Sequence, residues 1–91
     1  MEHRLKIWEA MYHDVRSGDK PFELRKNDRG YQKGDVLVLE AFDSRQRVYL
    51  DHKTHPPIYV EVTYVLSGSM FGLHDNYVCM GIIQLEPASD K

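Results

Sequence analysis

Cysteine is almost absent from this chain. Cys79 is the single thiol among 91 residues, so no internal disulfide can form, and the sequence fits a reducing compartment. Long apolar runs are missing too, and with a mean hydropathy of −0.55 no membrane-spanning helix is expected. The opening Met1-Glu2-His3-Arg4-Leu5-Lys6 lacks the apolar stretch of a secretory leader, so the expected location is the cytoplasm. Neither charge sign dominates. The formal net charge of −2 supplies no general pull toward nucleic acid, and any such pull has to be local. Internal repeats, linkers, a phosphate-binding glycine loop, a nucleophile triad and paired carboxylates are all lacking. What is there is a 42% hydrophobic content, enough for one modest core, so one domain over residues 3–85 with a flexible tail over 86–91 is expected.

Periodicity orders the elements. From His3 to Trp8, Leu5 and Ile7 face one way and Arg4 and Lys6 the other, which reads as a strand. Trp8, Met11, Tyr12 and Val15 then recur at helical spacing, with Glu9 early, Arg16 late and Gly18 placed to end the helix. Trp8 and Met11 read as core residues of that helix. Pro21 precedes a strand around Phe22 to Arg25, and Asn27-Asp28-Arg29-Gly30 and Lys33-Gly34-Asp35 are turns. Val36 to Phe42 is apolar on both faces for much of its length, like a central strand of a closed barrel. A strand is expected around Arg47 to Leu50, and Asp51 to Pro57 is a polar loop. In Ile58 to Leu66 the residues Ile58, Val60, Val62, Tyr64 and Leu66 share a face. A glycine-punctuated loop over Ser67 to Asp75 leads to the last strand, Tyr77 to Leu85. The fold class is therefore α+β: a small mixed β-barrel of about six strands with one flanking N-terminal helix.

The chemistry concentrates between Ser17 and Gly34. In Phe22-Glu23-Leu24-Arg25 the two apolar residues alternate with two charged ones, and Lys20 in the preceding turn can reach the charged face. From Lys20 to Lys33 five cations (Lys20, Arg25, Lys26, Arg29, Lys33) stand against Glu23 and Asp28, a local charge of +3. Such a cluster suits a phosphate or acidic ligand. A solvated edge strand whose charges discourage aggregation, or a salt-bridge network closing the barrel mouth, are the plainer readings.

Gly18-x-Lys20-x-x-Glu23-x-Arg25 resembles the G-x-K-x-x-E-x-R signature of the ASCH domain, a member of the PUA-like β-barrel superfamily. His3-x-Leu5-Lys6, the run Phe22 to Arg29, Gly34-Asp35 and Val62 to Leu66 extend the likeness to a subfamily of small bacterial and phage proteins of unknown function. The resemblance implies a PUA-like open barrel with a helix beside a cleft that binds RNA or a modified nucleoside; no metal or cofactor is expected. By carry-over Lys20, Glu23 and Arg25 line that cleft. Lys26 and Arg29 would position phosphate, and Tyr31, Phe71 and Tyr77 are candidate stacking surfaces. Some ASCH relatives resemble amidohydrolases that deacylate N4-acetylcytidine, in which the signature lysine works with a threonine three residues on. Here that position is Glu23, so an enzyme would have to use Lys20 and Glu23 as its catalytic pair.

The remaining features are sparser. His52-x-x-His55 has a spacing that a metal could use, but with no third Cys or His nearby it reads as solvated loop. Cys79 reads as a buried core thiol between Val78 and Met80. Met70 and Phe71 could present a partner surface, which leaves a phage or prophage protein-interaction module as a third reading.

Overall fold

The computed structural model describes residues 1–68 and 71–85. Along the chain these form β1 (Glu2–Trp8), α1 (Glu9–Ser17), β2 (Phe22–Lys26), β3 (Val36–Asp43), β4 (Val48–Tyr49), β5 (Ile58–Ser67) and β6 (Tyr77–Gln84). One sheet runs in the order β1-β3-β5-β6-β2, with β4 paired to β3 off that path. β1 lies parallel to β3 and every other pairing is antiparallel. The sheet curls into a half-barrel whose two end strands, β1 and β2, face each other without a ladder between them. The closed barrel suggested by the two-sided apolarity of β3 is therefore an open one, even though Leu37, Val38 and Leu39 are all fully buried.

Alternation sets the core. β1 buries His3, Leu5 and Ile7, β3 adds Leu37, Leu39 and Ala41, and β6 adds Val78, Met80 and Ile82. α1 turns Tyr12 and Val15 onto this surface and ends at Gly18, whose φ of 90° places it in the left-handed region that costs glycine little. The amide of Gly18 closes onto the Val15 carbonyl, and the Gln84 side-chain amide donates to the carbonyls of Val15 and Arg16. The last turn of the helix is thus satisfied from β6.

Four expectations need correction. Trp8 and Met11 are not core: they are 58% and 42% exposed. Trp8 shares the outward parity of Arg4 and Lys6, and the helix needs only Tyr12 and Val15 to cover the sheet. Tyr64 does not share a face with Val62, because a bulge between Val62 and Tyr64 adds one residue and turns Tyr64 outward while Val65 packs on the core. Gly81 lies opposite the bulge, where a Cβ would come within 3.0 Å of the Thr63 hydroxyl oxygen. Cys79 is half-buried, with Val78 and Met80 taking the inward positions on either side. The strand expected over Arg47 to Leu50 shrinks to Val48–Tyr49. Met70 and the tail over 86–91 lie outside the described residues. Among the described residues no helix is long and apolar enough to cross a membrane.

Candidate functional site

β2 points its charges inward. Glu23 is 3% exposed and Arg25 is half-buried, while Phe22 and Leu24 stand outward at the rim. An isolated amphipathic strand would do the opposite. The inversion follows from position. β2 is an end strand whose inner side meets the unpaired edge of β1, and polar side chains can satisfy the backbone groups exposed there.

Lys20, Glu23, Arg25 and Arg29 each have a defined partner. The Lys20 ammonium donates to Glu23 Oε1 at 2.6 Å and to the Phe22 carbonyl at 2.9 Å, and lies 4.9 Å from the centre of the Phe22 ring. Arg25 Nε donates to Glu23 Oε2 at 3.1 Å, so one buried carboxylate is held between two cations. Arg25 Nη2 reaches across the seam to the Lys6 carbonyl, and Arg29 Nη1 reaches the Arg4 carbonyl at 3.0 Å. Two arginines thus stand in for the missing ladder between β2 and β1.

These groups line an open cleft of about 730 Å³ between β1 and β2. The seven residues expected at the site (Lys20, Glu23, Arg25, Lys26, Arg29, Tyr31 and Tyr77) all lie on it. Phe71 does not; it stands exposed elsewhere. Trp8, Met11, Phe22 and Leu24 also line the cleft, and the sequence reading missed their role there. For Trp8 the signal was its parity with Arg4 and Lys6.

Tyr31 forms the inner wall. Its amide is held by Asn27 Oδ1 at 3.0 Å, and its ring meets the His3 ring edge-on at 5.0 Å. Burial pushes the Tyr31 phenol above its ordinary value; Asp28 and Glu23 add to the rise while Arg25 and Arg29 oppose it. Behind it, the His3 ring lies 2.9 Å from the Asp35 carboxylate, which also accepts from the Gln32 amide and the Met1 ammonium. Burial raises the Asp35 carboxyl, but these hydrogen bonds outweigh it and hold Asp35 below the ordinary carboxylate value.

The site offers two carboxylates, Glu23 and Asp28, and Glu23 is held by two cations, a set unsuited to holding a metal. The His52-x-x-His55 pair does not come together at all: His52 faces Glu40 and His55 faces Glu9. What the cleft can do chemically is present cations, carboxylate acceptors and several rings to a planar or anionic molecule.

Residues 2–82 match the model of a family described as a domain of unknown function, DUF3850. No curated protein matches the sequence. The match spans β1 through most of β6, and so takes in both sides of the cleft. The chain belongs to the DUF3850 family.

Proposed function

We propose that this domain is a PUA-like, ASCH-type module that binds single-stranded RNA or a modified nucleoside in the cleft between β1 and β2. The observation that carries this reading is the pairing of exposed rings with a row of cations on one open surface. Trp8 and Phe22 stand at its rim, Tyr31 and Tyr77 line it, and Lys20, Arg25, Lys26 and Arg29 lie among them. Base–aromatic stacking and phosphate neutralisation are the two terms that single-strand binding requires. Glu23 gives the same surface a fixed acceptor for an exocyclic amino group, such as that of cytosine.

A network that merely closed the barrel would fill its own space. Here Arg25 and Arg29 each use only part of their donor set on β1, and the cleft beside them stays open. Lys26 adds a further cation with no partner among the described residues. The hydrolase reading is less well supported. The Lys20 ammonium already donates to the Phe22 carbonyl and Glu23 Oε1, and Glu23 stands where the resembling hydrolases carry the threonine that works with this lysine.

The test is an NMR titration of labelled protein, first with short single-stranded RNA and then with N4-acetylcytidine, following the nucleoside for loss of its acetyl group. Shifts clustered at Trp8, Lys20 to Arg29 and Tyr77 with the nucleoside intact are the expected result. Turnover that disappears in Lys20→Ala would make the domain a hydrolase. No shift with either molecule would remove both readings.

A further inference from the structure

On the outer side of α1, away from the seam, three potential ligands converge. Glu9 and His13 are one helical turn apart and so share a face. His55 arrives from the loop between β4 and β5, which is anchored there by its neighbour Pro56: the Pro56 carbonyl accepts from the Tyr12 hydroxyl at 2.8 Å and from Arg16 at 2.9 Å. His55 Nε2 lies 3.1 Å and His13 Nε2 lies 3.6 Å from the same oxygen, Glu9 Oε2, and the three donor atoms fall within 4.8 Å of one another.

We propose that Glu9, His13 and His55 form a binding site for a zinc-type divalent ion, with the remaining coordination position left to water. The separations suit it. Ligands at about 2.05 Å from a tetrahedral Zn²⁺ lie roughly 3.3 Å apart, and the 3.1 and 3.6 Å distances bracket that edge. Two imidazoles with one carboxylate select a transition ion over Mg²⁺ or Ca²⁺, which favour all-oxygen shells.

The surroundings of His55 fit the ligand role. Its Nδ1 lies 2.8 Å from the Thr54 hydroxyl, and that hydroxyl lies 3.1 Å from the Asp51 carbonyl. With the Thr54 proton given to Asp51, Thr54 Oγ accepts from Nδ1–H and the Nε2 lone pair faces Glu9 and His13. This relay would hold the tautomer that a metal needs, a bound ion replacing the Nε2–H···Glu9 hydrogen bond open to the metal-free ring. The Tyr12 ring packs within 5.3 Å of both imidazole centres and limits their rotation. Bound metal would staple the loop to the helix, using residues that the cleft does not use.

The experiment is calorimetric titration of untagged, chelator-stripped protein with ZnCl₂, with the histidine ring resonances followed in parallel. The expected result is one ion per chain, shifts confined to His13 and His55, and no response to MgCl₂. His13→Gln and His55→Ala should each weaken binding by about tenfold or more, and Thr54→Val by on the order of tenfold. His52→Ala, whose ring faces Glu40, should change nothing. His13 is exposed, so His13→Gln keeps the test intact even if His55→Ala loosens the loop. Absence of saturable binding, or unchanged affinity in His13→Gln, would overturn the proposal.

Discussion

Arg29 donates to the backbone carbonyl of Arg4 across the seam of the half-barrel, at 3.0 Å. Together with the Arg25 bond to Lys6, this contact joins the two ends of the sheet through side chains instead of a strand ladder. The same guanidinium groups border the cleft, so closure of the fold and the proposed recognition draw on the same residues.

Arg29→Ala should therefore affect binding more than stability. The contact is exposed, and its loss should cost about 1 kcal/mol or less in a urea melt. In a salt-dependent RNA titration the slope of log affinity against log salt should fall by about one. A stability loss of several kcal/mol with an unchanged slope would assign Arg29 to the seam alone.

Glu23 should behave differently. Its carboxylate is buried between Lys20 and Arg25, so Glu23→Ala leaves two neighbouring cations facing each other and should cost about 3 kcal/mol. Lys20→Ala leaves Glu23 still paired with Arg25 and should cost about 1 kcal/mol. Chemical denaturation of the two variants gives the order, and a reversed order would sink this account.

Asp35 links stability to acid. Its folded carboxyl titrates below the ordinary value of 3.8, so the stabilisation it provides is present above that pH and is lost as pH falls further. Thermal melts from pH 5 downward should show this decline, and Asp35→Asn should flatten it at a lower overall stability.

Tyr31 links stability to base. Burial raises its phenol above 10.0, so the protonated form is favoured in the folded state; its contribution is complete below that pH and fades as pH rises through the folded value. Phenolate absorbance should include one late-titrating tyrosine that disappears in Tyr31→Phe. Titration of every tyrosine near the ordinary value would contradict the buried wall.

Trp8 is the only tryptophan and stands at the rim of the cleft. Its fluorescence should be quenched by single-stranded RNA, and Trp8→Ala should weaken binding by roughly 1–3 kcal/mol, the range for one stacked base. Quenching without any loss of affinity in Trp8→Ala would place the base elsewhere.

Much of the fold was legible in the chain because periodicity is local. The alternation of His3 to Trp8, the helical stripe ending at Gly18 and the charged face of Phe22 to Arg25 each follow from neighbours a few residues apart. The cation cluster from Lys20 to Arg29 was visible for the same reason. Alternation, however, says only which residues share a face. It does not say which face turns inward, as at Trp8, nor where a bulge breaks the alternation, as between Val62 and Tyr64.

What the sequence by itself determined is thus the set of elements and, outside the bulged β5, their partition into two faces, both set by backbone geometry. The tertiary structure alone decided that the charged face of β2 turns inward, because only the unpaired edge of β1 offers carbonyls for Arg25 and Arg29. It alone decided that Gly81 sits opposite the bulge that rotates Tyr64 out. It alone brought His55 to Glu9 and His13, 46 and 42 positions away. These outcomes depend on which distant segments pair, and contacts between distant segments leave no period in the sequence.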